Sequence, residues 1–441
     1  MAPTASLAQQ APAPHSGAPL ARRAATALAA AMVLGAAAAP AAYAAAPAAA
    51  AGSPSAAAKK LPAGLYGTKD PQYDGVWRQS LALLAQHTVG VRPAASAVRW
   101  LVGQQCADGA FTAFRAEPAK PCAAKTMRDT NQTAAAVQAL AALGGHGDSV
   151  DKAVGWLKSV QNDDGSWSSM PGSPGDANST SVVIGALAAA GQKPASVTSK
   201  KHKTAYDGLL TFRLGCAGKE DAHGAFTFQL KGAAPNADAT AAAATGVLGK
   251  GFVVAPAGRR DPNPVAPPAC KDGKDKAGRV SAAQAADGGA AYLVAQLDKN
   301  GQHLLSAMPG AKPQPDVGNT ADAVVALAAG GHGADARRPL AWLQKNAADW
   351  ARQSGPAAYA QLVLAAHATG SDPRSFGGTD LVTALNATGP GPAAVSGKHA
   401  KGADASAKDD GGGMPWWIIG VGLAFGAGLG FLLSGRKRGG H

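Results

Sequence analysis

Apolar residues between Tyr66 and Gly389 recur at helical spacing, and the polar residues that interrupt them recur in register. The pattern is clearest in DTNQTAAAVQALAALGG from Asp129, DANSTSVVIGALAAAG from Asp176, NADATAAAATGVLG from Asn236 and DVGNTADAVVALAAGG from Asp316. In each, an Asp or Asn stands four residues before a Thr (Thr133, Thr180, Thr240, Thr320), and Leu140, Leu187, Val247 or Leu327 follows seven residues after it. Seven residues make about two helical turns, so one face stays constant. The acid or amide at the start and the Gly near the close are helix N-cap and C-cap signals.

A second segment closes each unit: AVRWLVGQQCADGAF from Ala97, AVGWLKSVQNDDGSW from Ala153, GAAYLVAQLDKNGQH from Gly289 and PLAWLQKNAADW from Pro339. Aligning Trp100, Trp156 and Tyr292 places Gly109, Gly165 and Gly301 nine residues on. Trp77–Leu84 and Tyr359–Leu364 supply degenerate first helices at the two ends. The spacing predicts an all-α chain of about six helical hairpins, stacked or closed on themselves. Loops intrude after Gly191 and at Val253–Val280.

The flanks read differently. Arg22 and Arg23 precede a short apolar run, Ala24–Ala39, and Ala42-Tyr43-Ala44 offers small residues to a signal peptidase. Residues 1–44 are therefore expected to be a secretory signal peptide, the run being short for a first membrane anchor. Residues 45–65 are Ala- and Pro-rich and expected to be disordered. Periodicity vanishes again over 390–413, read as a flexible stalk. Pro415–Leu433 carries no charge and is long enough to span a bilayer as one helix, with Trp416 and Trp417 at one edge. Arg436-Lys437-Arg438 marks the cytoplasmic side, making 434–441 a basic tail. The expectation is a single-pass cell-membrane protein with its bulk outside.

Composition sharpens this picture. A charged fraction of 16% is too low for wholesale disorder. Of the net +13, five charges lie in the signal segment and tail, leaving +8 for the exported part. Most of that sits in the two insertions, so no continuous basic stripe with aromatic platforms offers itself to nucleic acid. Four cysteines in an exported chain allow three pairings; Cys106–Cys122 and Cys216–Cys270 are the local choices. No C-x-x-C is present, and no metal or cofactor is expected.

Gln161-Asn162-Asp163-Asp164-Gly165-Ser166-Trp167, following Trp156-Leu157, resembles the QW motif of the terpenoid cyclase and prenyltransferase repeat superfamily, with Gln104–Phe111 a looser copy. The chain is also similar to secreted, membrane-anchored actinobacterial proteins that carry this repeat. The resemblance spans 66–389 and implies an (α/α)6 toroid, inner helices around a central cavity and outer helices surrounding them. It does not bring activity with it. Cyclases of the family use a D-x-D-D-T-A acid, and here Asn131 stands at the acid's position in Asp129–Ala134. An amide is far too weak an acid to protonate an alkene. The zinc set of the prenyltransferases is not matched, while secreted vitamin carriers of the same fold bind without chemistry.

The expected function is thus a surface-anchored binding module whose cavity captures a small or peptide-like ligand and passes it to a transporter. The alternatives are a terpenoid- or prenyl-type enzyme on lipid-like substrates, with Asp238 the first suspect for catalysis, or an envelope interaction scaffold. Asp129, Asp176, Asn236 and Asp316 are expected to cap helices and to ring the cavity mouth, with Asn131, Asn178 and Asp238 as further ligand contacts. Tyr73, Trp77 and Tyr359 are expected to face inward as ligand contacts.

Overall fold

The computed structural model describes residues 61–230, 234–258, 265–276, 280–306 and 312–394. The expected signal peptide, most of the 45–65 segment and the stalk, the 415–433 span and the tail lie outside the described residues. Among the described residues no helix is long and apolar enough to cross a membrane. These residues are mostly helical, and the helices come in pairs. The pairs are α1 (Gly75–Thr88) with α2 (Ala95–Gly103), α3 (Thr130–Leu143) with α4 (Gly147–Ser159), and α5 (Ala177–Ala189) with α6 (Ala205–Leu210). Next are α7 (Ala237–Val247) with α8 (Ala282–Lys299) and α9 (Val317–Ala329) with α10 (Gly333–Asn346). Then α11 (Ala348–Ser354) leads to α12 (Pro356–Ala368) and α13 (Leu381–Asn386).

The first helix of every pair packs on the first helix of the next. Thus α1 touches α3, α3 touches α5, α5 touches α7, α7 touches α9, α9 touches α12, and α12 returns to α1. The cycle is closed, and each second helix rests against its own partner. Ala-rich inner faces permit this close approach: α3 buries Ala134, Ala135, Ala136 and Ala139, and α12 buries Ala358, Ala360, Ala365 and Ala366. Tyr66 seals the seam where the cycle meets itself. It is fully buried, its hydroxyl donates to the Pro390 carbonyl at 3.0 Å, and the adjacent Gly67 N–H donates to Thr388. Packed structure therefore runs a few residues beyond 66–389, with Leu65 buried on one side and Ala393 bonded to Arg92 on the other.

One arrangement joins each inner helix to the loop before it. The Thr133, Thr180, Thr240 and Thr320 hydroxyls donate to the carbonyls of Asp129, Asp176, Asn236 and Asp316 at 2.5–2.7 Å. The same oxygens accept the N–H of Phe111, Trp167, Phe226 and Leu304 at 2.8–3.0 Å. Those four residues are buried apolar anchors, and all four threonines are fully buried. The cap side chains accept from the first turn: Asp129 from Asn131 and Gln132, Asp176 from Ser179, Asn236 from Ala239, Asp316 from Asn319. Each such cap is worth about 1 kcal/mol. In the degenerate units Arg78 and Tyr359 take the Thr position, and buried Arg78 pairs with Asp74 at 3.1 Å.

The connecting turns repeat as well. Gly109 and Gly165 have φ of +93° and +92°, the left-handed region where a side chain would be strained, which explains their fixed place after the aromatic. Trp167 is fully buried and its indole N–H donates to Leu157 at 2.7 Å, so the motif tryptophan is a packing element. The disulfides are Cys106–Cys122 and Cys216–Cys270, each with Cα atoms 5.6 Å apart.

The described part of the 253–280 insertion is mostly exposed, with Val254 its buried exception. The segment that leads into it, Gly249–Gly258, crosses the C-terminal ends of the inner helices. Gly251 lies against Gly185 of α5, where a side chain on Gly185 would strike the Gly251 backbone and one on Gly251 would strike Gln138, and Phe252 N–H donates to Gln138 Oε1 of α3 at 2.9 Å. Ala257 N–H donates to Ala368 of α12, and Arg337 of α10 clasps Gly258 and Thr369. Phe252 thereby enters the ring and meets Trp77 of α1 edge-on at 5.4 Å.

If the buried threonines lock loop to helix, Thr180→Val should keep the shape but leave the Trp167 N–H unbonded, destabilising the chain by about 1–3 kcal/mol. Chemical denaturation of the two proteins side by side checks this, and equal midpoints would show the hydroxyl to be dispensable.

Candidate functional site

With the C-terminal side of the ring crossed by Gly249–Gly258, the N-terminal ends of the inner helices form its other mouth. Four of these helices point polar side chains into one recess. On α5, Asn178 donates through Nδ2 to Asp238 Oδ2 of α7 at 2.6 Å. On α9, both oxygens of Asp322 accept from Gln361 Nε2 of α12, at 2.9 and 3.0 Å. Asp316, at the foot of α9, accepts from the Asn319 backbone and side chain. Asp238 and Asp322 are surrounded by protein yet retain solvent access, as groups lining a cavity do.

The electrostatics follow from that recess. Burial pushes the Asp322 carboxyl up to about 7; the Gln361 bond pulls against this, and the charges of Asp238 and Asp316 add to it. Asp238 is raised by burial, lowered by Asn178, and raised again by Asp316. Burial likewise raises Asp316 against its backbone bonds. Each carboxylate is held by amides rather than by a cation. Helix N-termini favour negative charge nearby, but the loss of water outweighs them here.

Several polar atoms in this mouth have no partner. The side-chain oxygens of Asn131, Gln132 and Asn178 are buried and unbonded, and Asn178 as a whole is only 8% exposed. Gln132 spends its amide hydrogens on the Tyr73 carbonyl. A flipped Asn178 would set oxygen against the Asp238 carboxylate, so its free atom is the acceptor.

The expected site residues divide into three groups. Asn178 is bonded to Asp238, which feels the charge of Asp316, and Asn131 holds the equivalent second position of α3. Asp129 and Asp176 are occupied as caps, and Asp176, 2% exposed with its carboxyl raised by burial to about 6, offers no surface to a ligand. Of the three aromatics only Trp77 reaches the lumen. Tyr73 stands on the turn before α1, 79% exposed, because the helix begins two residues later. Tyr359 occupies the buried Thr position and packs in the core. Asp322, Gln361 and Phe252 were not anticipated. The first two had a signal, a polar residue interrupting an otherwise apolar inner helix; Phe252 had none.

Two hollows stand out elsewhere among the described residues. One of about 520 Å³ lies at the C-terminal helix ends, among His87, Gln138, Lys250 and His367. Burial lowers His367, favouring its neutral form. The second, about 610 Å³, lies on the outer surface between α8 and the insertion, beside Glu220, His223 and Asp298. Neither gathers interacting buried carboxylates, so the mouth is the stronger candidate. Among the described residues one trio of metal-type side chains converges, Cys216, His223 and Cys270, with ligand atoms within 4.8 Å. Their sulfurs are joined to each other, leaving no thiolate to bind a metal.

No family model matches this chain, and no curated protein matches it. Among solved structures, a crystal structure of a protein from Actinoplanes is similar at 15% identity and a TM-score of 0.43, covering 70% of this chain and 93% of that one. A wild-type glycosidase is similar at 13% identity and a TM-score of 0.37, covering 67% of this chain and 86% of that one.

Asp322 also supplies a pH test. Its folded-state pKa, about 7, lies above its ordinary 3.8, so folding favours the protonated form. Its stabilising effect is complete below pH ~4 and is lost as pH rises through about 7. Asp322→Asn should therefore gain stability relative to wild type between those limits. Thermal midpoints of both proteins from pH 4 to 8 would show it; a constant difference would mean that Asp322 stays ionised.

Proposed function

We propose that this chain is an extracellular, membrane-anchored binding module, its ring lumen capturing a small or peptide-like ligand and handing it to a transporter. The closed cycle of inner helices supports an (α/α)6 toroid of the cyclase and prenyltransferase type. Export through residues 1–44 and anchoring through 415–433 belong to the same proposal. The observation that carries it is the polar mouth, where Asp238 and Asp322 are bonded only to amides and the Asn178 oxygen is buried without a partner. Leaving such groups unsatisfied is unfavourable, so a ligand that bonds them gains free energy by entering.

A second reading, an enzyme acting on lipid-like or isoprenoid substrates, is favoured by Asp322. A carboxyl titrating near 7 exchanges protons at neutral pH, as a general acid must. Asn131 still occupies the family acid's position, and Asp322 sits a helical turn deeper.

The full chain, purified in detergent, should retain a small molecule detectable by native mass spectrometry. Asp238→Asn should weaken that retention by about tenfold or more, the loss of one charge-assisted hydrogen bond. Incubation with isoprenoid substrates decides between the readings: a product that disappears in Asp322→Asn or Asp238→Asn would replace binding with catalysis.

A further inference from the structure

We propose that the lumen selects an organic cation bearing N–H donors, a primary amine or guanidinium, held between Asp238 and Asp322 and the aromatic pair Trp77–Phe252. This rests on the binding reading above and names the chemistry of its ligand.

Three observations converge on that class. First, Asp322 feels the charges of Asp238 and Asp316, and Asp238 that of Asp316, while the bonded partners of the three are Asn178, Asn319 and Gln361. Concentrated negative charge without a neighbouring cation attracts a cation from outside. Second, three buried amide oxygens are left as free acceptors. Asn178 and Gln132 each donate an amide hydrogen to the protein, and the oxygens of Asn131, Gln132 and Asn178 remain unbonded. A ligand satisfying them must bring hydrogens, which excludes a carboxylate or phosphate and leaves a quaternary ammonium poorly matched. Asn178, 8% exposed and bonded to Asp238, shows that this demand is built into the wall and is not confined to an exposed rim.

Third, the three carboxylates do not converge on one point as a single ion's ligands do. Ligand oxygens around Ca²⁺ lie about 2.3–2.6 Å from the ion, hence within about 5 Å of one another. The oxygens of Asp238, Asp316 and Asp322 do not all approach to within 4.8 Å. An extended cation can span what a point charge cannot. Trp77 and Phe252 complete the site. Phe252 is carried into the ring by the crossing segment, and Trp77 meets it edge-on from α1, the helix opposite α7 in the cycle. Both rings are half-buried, leaving π-surface for a cation or its hydrocarbon stem.

Isothermal titration of the full chain in detergent micelles tests this with phenethylamine and agmatine against phenethyl alcohol, 3-phenylpropionate and calcium chloride. The two amines should bind, and the alcohol, the acid and calcium should bind at least tenfold more weakly. Asp238→Asn and Trp77→Ala should each reduce amine affinity about tenfold, with helical circular dichroism confirming that each variant is folded. Phe252→Leu, which keeps the hydrocarbon and removes the π-face, should reduce it less than Trp77→Ala. Equal affinity for amine and alcohol, displacement of amine by calcium, or amine binding indifferent to Asp238→Asn in the folded variant would overturn the cation inference. Retention of a neutral or anionic ligand would overturn it too, yet leave the binding reading standing. If no probe binds and the purified chain retains nothing, both fall.

Discussion

The fully buried threonine hydroxyl at four of the six inner helices is the interaction on which the rest of the ring depends. It donates to the cap residue's carbonyl and accepts the N–H of the buried residue ending the previous connection, so it fixes both where a helix starts and which loop enters it. A backbone N–H left unbonded in that position is unfavourable by about 1–3 kcal/mol, and the arrangement occurs four times. Helices registered this way present their second residue to the same side: Asn131, Asn178, Asp238 and Gly318. The polar mouth is thus a by-product of the same repeat that builds the ring.

The two sides of the ring are unequal for a related reason. At the N-terminal side, the cap Asp316 adds its charge to those of Asp238 and Asp322 on the inner faces, and burial together with that charge raises both carboxyls. At the C-terminal side, the chain after α7 lies across the helix ends, possible because Gly185 and Gly251 have no side chains to collide. That crossing segment turns a passage into a recess and gives it an aromatic floor. A site of this kind combines charge from the repeat with hydrophobic contact from an insertion.

How much of this was legible beforehand depends on the range of each interaction. The Asp-to-Thr and Thr-to-Leu spacings lie within one helix, and the caps they announced are those seen. The pairings Cys106–Cys122 and Cys216–Cys270 were legible because each closes a local excursion. Trp77 was placed correctly on α1, whereas Tyr73 fell two residues short of the helix and Tyr359 took a buried position. Both errors come from units where the repeat has decayed, so a one-turn shift could not be checked against a copy.

Sequence alone determined the helices, their caps and their pairing into hairpins, because those rest on contacts a few residues apart. Only the tertiary structure decided that Asp322 of α9 faces Gln361 of α12 and shares its field with Asp238 of α7. It also decided that Phe252 reaches Trp77, 175 positions away in the chain. The interior of a ring belongs to no single helix: which side chains converge there is settled when the last helix packs against the first, and that closure brings together residues whose sequence separation carries no periodic signal.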